Sequence, residues 1–100
     1  MFNKHAGTLD MPPVAARSHC AIEVARVWIA DGAQHVTLRP EAWEDPAAWG
    51  LLLVDLARHV AHGFAQVRGA DVADTLARIR EGFDTEWDSP TDTLQGQISE

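Results

Sequence analysis

The sequence predicts an α+β fold in which an antiparallel β-hairpin packs against an αα-hairpin (ββαα), with an irregular N-terminal arm and a disordered acidic C-terminal tail. Two observations support this fold class. Asp31-Gly32 separates two segments in which apolar residues alternate, and this pattern is typical of a hairpin. Gly69 separates two longer segments in which apolar residues recur every three or four positions, as they do in amphipathic helices.

The length and composition indicate one globular domain. The chain has 100 residues, of which 46% are apolar and 23% charged. We divide it into an N-terminal arm (1–20), one α+β domain (21–88) and an acidic tail (89–100). Cys20 is the single cysteine, so no intrachain disulfide can form. The N-terminal segment lacks the apolar run of a signal peptide, and no apolar run reaches the roughly 20 residues of a membrane span. We therefore expect a cytoplasmic protein that does not bind membranes.

The charge distribution argues against nucleic-acid binding. The net charge is -7, and the acidic residues from Asp84 onward have no Lys or Arg after them. The arginines are scattered along the chain, whereas a nucleic-acid interface needs a clustered basic surface to replace phosphate counterions. The sequence therefore predicts an acidic tail and no nucleic-acid partner.

The hairpin register follows from the turn. Both central residues of a type I′ turn need positive φ, which Gly32 accepts freely and Asp31 tolerates. This turn places Val27 opposite Val36 and Trp28 opposite His35. One face is then apolar, and we expect the helices to cover it. The other face, called here the hairpin face, carries Arg26, Trp28, His35, Thr37 and Arg39.

The first helix should begin at Asp45-Pro46, a capping residue followed by proline at the first helical position, and end at Gly69. We expect the close approach of the second helix or the hairpin to require Gly63. An apolar stripe along this first helix predicts the side that faces the core. Its members are Trp49, Leu52, Leu53, Leu56, Val60, Phe64 and Val67.

A second helix is predicted to start after Asp71, with Asp74 in its first turn, and to end at Ser89-Pro90. Its apolar residues recur at steps of three and four, which again indicates a core side. The members of this stripe are Val72, Leu76, Ile79, Phe83 and Trp87.

Two segments carry a family resemblance: residues 23–39, with an Arg-x-Trp motif and Asp-Gly, and residues 44–52. The second segment reads Glu44-Asp45-Pro46-Ala47-Ala48-Trp49-Gly50-Leu51-Leu52. Over about residues 12–92 the chain resembles a family of small alphaproteobacterial proteins of unknown function, each about as long as this chain. The resemblance implies a compact cytoplasmic domain of mixed helix and strand. It transfers no catalytic or binding residue.

The hairpin face is the first candidate site. Its arginines, Arg26 and Arg39, are suited to binding an anion or a carboxylate, and the indole of Trp28 would give such a ligand a dry wall. A two-stranded hairpin is also marginal in water and has unpaired edges, so a second copy of the chain could cover the same face. Both uses of the hairpin face remain open.

The second candidate is a metal site on the first helix. Asp55, His59 and His62 share one helix side at spacings of four and three, so a carboxylate and two imidazoles could face one ion. Residues at these spacings also share a solvated face when they bind nothing, and no fourth ligand is apparent.

The sequence favours a non-enzymatic protein-interaction or regulatory module. We expect a homodimer formed through the hairpin face, or binding to another protein, and we expect no cofactor. No nucleophile motif or phosphate-binding loop is apparent. The alternative is a protein that binds a small ligand (an anion or carboxylate) or a metal, and an enzyme would fall in this second class.

Overall fold

The computed structural model describes residues 7–91 and the backbone of residues 96–98. A two-stranded antiparallel hairpin followed by two helices confirms the predicted ββαα arrangement. A single helical turn, α1, lies in the arm that was expected to be irregular. The elements in chain order are α1 (Pro13–Arg17), β1 (Ala25–Ala30), β2 (Ala33–Leu38), a 3-10 turn (Pro40–Ala42), α2 (Ala47–Arg68), α3 (Val72–Asp88) and β3 (Gly96–Ile98).

The predicted hairpin register is confirmed. Val27 lies opposite Val36, and Trp28 lies opposite His35. Asp31 has φ 53° and Gly32 has φ 76°, so both turn residues adopt the left-handed backbone that a type I′ turn needs. The hairpin face therefore has the composition that the sequence predicts.

A third strand lies beside the hairpin. β3 pairs with β2 in parallel, with Val36 opposite Gly96, so the strand order is β1-β2-β3 and β2 is central. The sequence predicts disordered chain over 89–100, whereas residues 96–98 form this strand. Backbone hydrogen bonds to the open edge of β2 stabilise such a strand without an alternating apolar pattern. Residues 92–95, 99 and 100 lie outside the described part.

The helix ends follow the predicted capping residues. The Asp45 Oδ1 atom accepts a hydrogen bond from the Ala47 amide (2.9 Å), and Asp71 Oδ2 accepts one from Asp74 (2.9 Å). Gly69 ends α2 with φ 65°, and its amide donates to the carbonyl oxygen of Ala65. Within the described residues, no helix combines the length and apolarity needed to cross a membrane.

The single chain buries few of its apolar residues. In residues 7–91, Ala61 is the only side chain that is fully buried. Val67 on α2 is 85% exposed and Trp87 on α3 is 74% exposed, so the prediction that both belong to core stripes is wrong. On α2 the apolar residues extend around the helix beyond the line that α3 covers. On α3 the exposed members, Phe83 and Trp87, lie at the C-terminal end of the stripe, whereas its first three members are half-buried.

The apolar side of the hairpin is also partly open. Ile29 is 73% exposed, and Val27 on the same side is more than half exposed. Trp28, on the hairpin face, is half-buried. The helices were predicted to cover this apolar side. They leave Val27 and Ile29 exposed.

Trp49 connects the hairpin end of the chain to the helices. Its indole Nε1 donates a hydrogen bond to the carbonyl oxygen of Pro40 (3.0 Å), in the 3-10 turn. The ring of Trp43 meets that of Trp49 edge-on, with 5.5 Å between ring centroids. These contacts hold the turn that follows the hairpin against the first turn of α2.

Candidate functional site

The hairpin register brings together the five residues of the hairpin face. Arg26 lies beside Thr37 and Trp28 lies beside His35. The Arg39 amide continues the pairing by donating to the carbonyl oxygen of Val24 (2.9 Å), so the arginine adjoins the same face. Arg26, His35 and Thr37 are exposed, whereas Trp28 and Arg39 are half-buried.

Glu23, which is not among the residues predicted for this face, contacts both of its arginines. Its carboxylate accepts two hydrogen bonds from Arg26, from Nε (3.1 Å) and Nη2 (2.9 Å). The carbonyl oxygen of Glu23 accepts a third from Arg39 Nε (3.2 Å). The bidentate pair compensates the charge of Arg26 inside the chain. The available signal was an acid three residues before Arg26, in the segment that leads into β1.

A shallow depression of about 170 Å³ lies at one end of the hairpin face. Pockets for drug-sized ligands have volumes of about 300–1,000 Å³, so this depression has room only for a small ion or acid. The Glu23 carboxylate in its wall opposes an anion. Its lining residues are Glu23, Ala25, Arg26, Thr37, Leu38 and Arg39.

The predicted metal residues stay apart as ligands. Asp55, His59 and His62 are all exposed on α2. Asp55 lies 3.7 Å from the guanidinium of Arg58, in an exposed ion pair. Across residues 7–91, no three His, Cys, Asp or Glu side chains form a group that could hold a metal ion. In a single chain, these three residues therefore share a helix side without forming a ligand set.

Large apolar side chains are exposed on both long helices. On α3, the rings of Phe83 and Trp87 stack with 5.6 Å between centroids, and both are exposed. The exposed large apolar residues of α2 are Leu51, Leu53, Val54, Leu56, Val60 and Val67. Most of these residues belong to the apolar stripe that was predicted to face the core.

The architecture defines a small α+β domain whose helices and sheet leave much apolar surface open. The chain belongs to the DUF5076 family, a domain of unknown function whose model matches residues 8–91. It is similar to a solved structure from the photosynthetic bacterium Rhodopseudomonas palustrus, provisionally named a pyruvate dehydrogenase, with 35% identity, full coverage of both chains and a TM-score of 0.73. No curated protein matches the chain.

Proposed function

We propose that the chain is a non-enzymatic protein-interaction or regulatory module of the cytoplasm of an alphaproteobacterium, and that it works as a homodimer. The observation that supports this is the burial of a single side chain, Ala61, within residues 7–91. A folded domain of this length normally removes roughly two-thirds of its unfolded surface from water. A second chain would supply the missing cover.

The accessible surface area agrees with a dimeric folding unit. The chain exposes 8950 Å², whereas a compact monomer of 11.0 kDa exposes about 5,600 Å². Its radius of gyration is 15.6 Å, against about 13 Å for a compact domain of 100 residues. Obligate homodimers bury about 1,000–2,500 Å² on each chain, so one partner can cover roughly a third to three-quarters of the excess.

The oligomeric state tests this proposal directly. Light scattering coupled to size exclusion should give twice the 11.0 kDa mass of one chain at micromolar concentration. The melting temperature should rise with protein concentration, because association stabilises the folded state by mass action. A monomeric mass and a melting temperature independent of concentration would refute the homodimer.

Ligand binding is the alternative function. The provisional name of the Rhodopseudomonas relative would make a carboxylate such as pyruvate the ligand to try, and the arginines of the hairpin face are suited to carboxylates. The bidentate pair of Arg26 with Glu23 and the small depression weigh against it. A melting shift with pyruvate, acetate or phosphate, or stoichiometric bound metal, would favour this alternative.

A further inference from the structure

We infer that the second copy docks on one face of α2, so that the two α2 helices pack against each other around a two-fold axis. This inference rests on the homodimer proposed above. The docking surface, called here the α2 seam, has residues at alternating spacings of three and four, the pattern of a helix–helix contact. Its members are Leu53, Leu56, Val60, Gly63 and Val67.

The α2 seam is separate from the line along which α3 packs. Ala57, Ala61 and Ala65 follow one another at four-residue steps, and Ala61 at their centre is fully buried. Since α3 packs along α2, we assign this alanine line to the α3 contact. At about 100° per residue, the line lies roughly 120° around the helix from the seam. Leu53, Leu56 and Val60 remain about half exposed.

The charge pattern of α2 favours a protein interface on this side. The charged residues of the helix are Asp55, Arg58 and Arg68. Each lies roughly a quarter of a turn or more from the centre of the seam. Depletion of charge at the centre of an exposed patch is typical of interface cores, whereas a solvated helix face carries charges.

Gly63 is a residue that the single chain does not explain. Glycine is unfavourable in the middle of a helix. The expectation that α3 or the hairpin approaches it closely is wrong, because no atom of either element lies within 4 Å of the position that a Cβ atom would take. The small residue at this point of the seam leaves space for a side chain from another molecule.

A second copy fits that space. In an antiparallel pair of α2 helices with the axis near residue 58, Leu56 lies opposite Val60 of the partner subunit. The same arrangement places Leu53 opposite Gly63 of the partner subunit, so a large side chain meets a small one. The seam is thus complementary to itself, as a two-fold interface requires. The excess accessible area of the chain is large enough for such an interface.

A pair of matched variants tests the location of the interface. Leu56→Glu places a charge in the seam, and we expect it to raise the dimer dissociation constant about 100-fold or more. Leu51→Glu is the control, since Leu51 is exposed on the same helix on nearly the opposite side. It should leave the dissociation constant unchanged within about threefold. Circular dichroism reports whether both variants keep their helices.

The glycine supplies a second, independent test that does not depend on adding a charge. Gly63→Leu should weaken the dimer about tenfold or more, because the new side chain collides with Leu53 of the partner subunit. Adding Leu53→Ala in the same chain should restore much of the affinity by exchanging the large and small positions. Gly82→Leu on α3, where a Cβ also meets nothing within 4 Å, is the control.

The results separate this inference from the homodimer itself. A monomeric wild-type chain would overturn both. If the wild type is a dimer and both Leu56→Glu and Gly63→Leu remain dimers while Trp28→Glu dissociates, the α2 seam is wrong and the homodimer stands on the hairpin face. Should Leu56→Glu lose its helices, Gly63→Leu and its rescue by Leu53→Ala decide: rescue supports the seam, and its absence overturns it.

Discussion

The indole nitrogen of Trp49 and the carbonyl oxygen of Pro40 form a 3.0 Å hydrogen bond across the junction between the hairpin and the helices. The bond is partly buried, and the ring of Trp43 packs edge-on against the Trp49 ring that donates it. Because the sheet and the helices leave much of each other uncovered, this junction contributes an important part of their mutual orientation.

Replacing Trp49 by Phe should therefore destabilise the fold. The variant keeps an aromatic ring but leaves the Pro40 carbonyl without its donor, and we expect the free energy of unfolding to fall by about 1 kcal/mol or more. Urea denaturation measures the change. Trp87→Phe is the control, since Trp87 is largely exposed and its change should stay within about 0.5 kcal/mol. Equal losses in the two variants would contradict a special role for the junction.

The cap of α3 gives a second prediction. Asp71→Ala removes the acceptor of the Asp74 amide and should cost about 1 kcal/mol of unfolding free energy. Asp71→Asn keeps an oxygen acceptor and should lose much less. If both variants melt like the wild type, the capping bond contributes nothing in solution.

Alanine substitutions at two glycines should change the free energy of unfolding in opposite directions. Gly69 has φ 65°, where an added Cβ atom strains the backbone, so Gly69→Ala should lower the unfolding free energy by about 1 kcal/mol. Gly82 lies inside α3 with open space around it, and Gly82→Ala should raise stability by up to about 1 kcal/mol. Chemical denaturation of both variants checks the signs. Stabilisation by Gly69→Ala would be inconsistent with a left-handed residue at this position.

Glu23→Gln should change binding more than stability. The Arg26–Glu23 pair is more than half exposed, so its loss should cost at most about 1 kcal/mol. The variant removes the carboxylate that compensates Arg26, and acetate or sulfate should then raise its melting temperature more than that of the wild type. Asp55→Asn, which removes another exposed ion pair, is the control. Equal anion responses in all three proteins would show that Glu23 does not limit anion binding.

The features that the sequence predicts correctly depend on local backbone chemistry. The positive φ of Asp31 and Gly32 sets the hairpin register, because a two-residue turn leaves one pairing that keeps the apolar residues on one side. The ends of α2 and α3 follow for the same reason, since Gly69 and the caps act on neighbouring amides.

Cover over the apolar faces was not predictable in the same way. A period of three and four residues shows which side of a helix is apolar, but not which element or which chain covers it. Val67 and Trp87 therefore satisfied the core pattern and are exposed in the single chain. β3 was missed because backbone pairing with β2 leaves no alternating pattern to detect.

The sequence predicted which residues form the hairpin face, but not how their charges are balanced. The register brings Arg26, Trp28 and His35 together as expected. Glu23 lies before β1, where no periodic pattern assigns a direction to its side chain, so its contact with Arg26 followed only from the folded backbone. This one contact compensates the charge of Arg26, whereas Glu23 reaches Arg39 only through its neutral carbonyl and leaves the charge of Arg39 in place.

The short links within the fold also bear on how the chain refolds. β1 joins β2 through two residues, and α2 joins α3 through residues 69–71, so the main pairs of elements are neighbours along the chain. Low contact order of this kind allows single-chain steps on a scale of about microseconds to milliseconds. A slower phase whose rate grows with protein concentration in stopped-flow experiments would therefore report chains meeting one another.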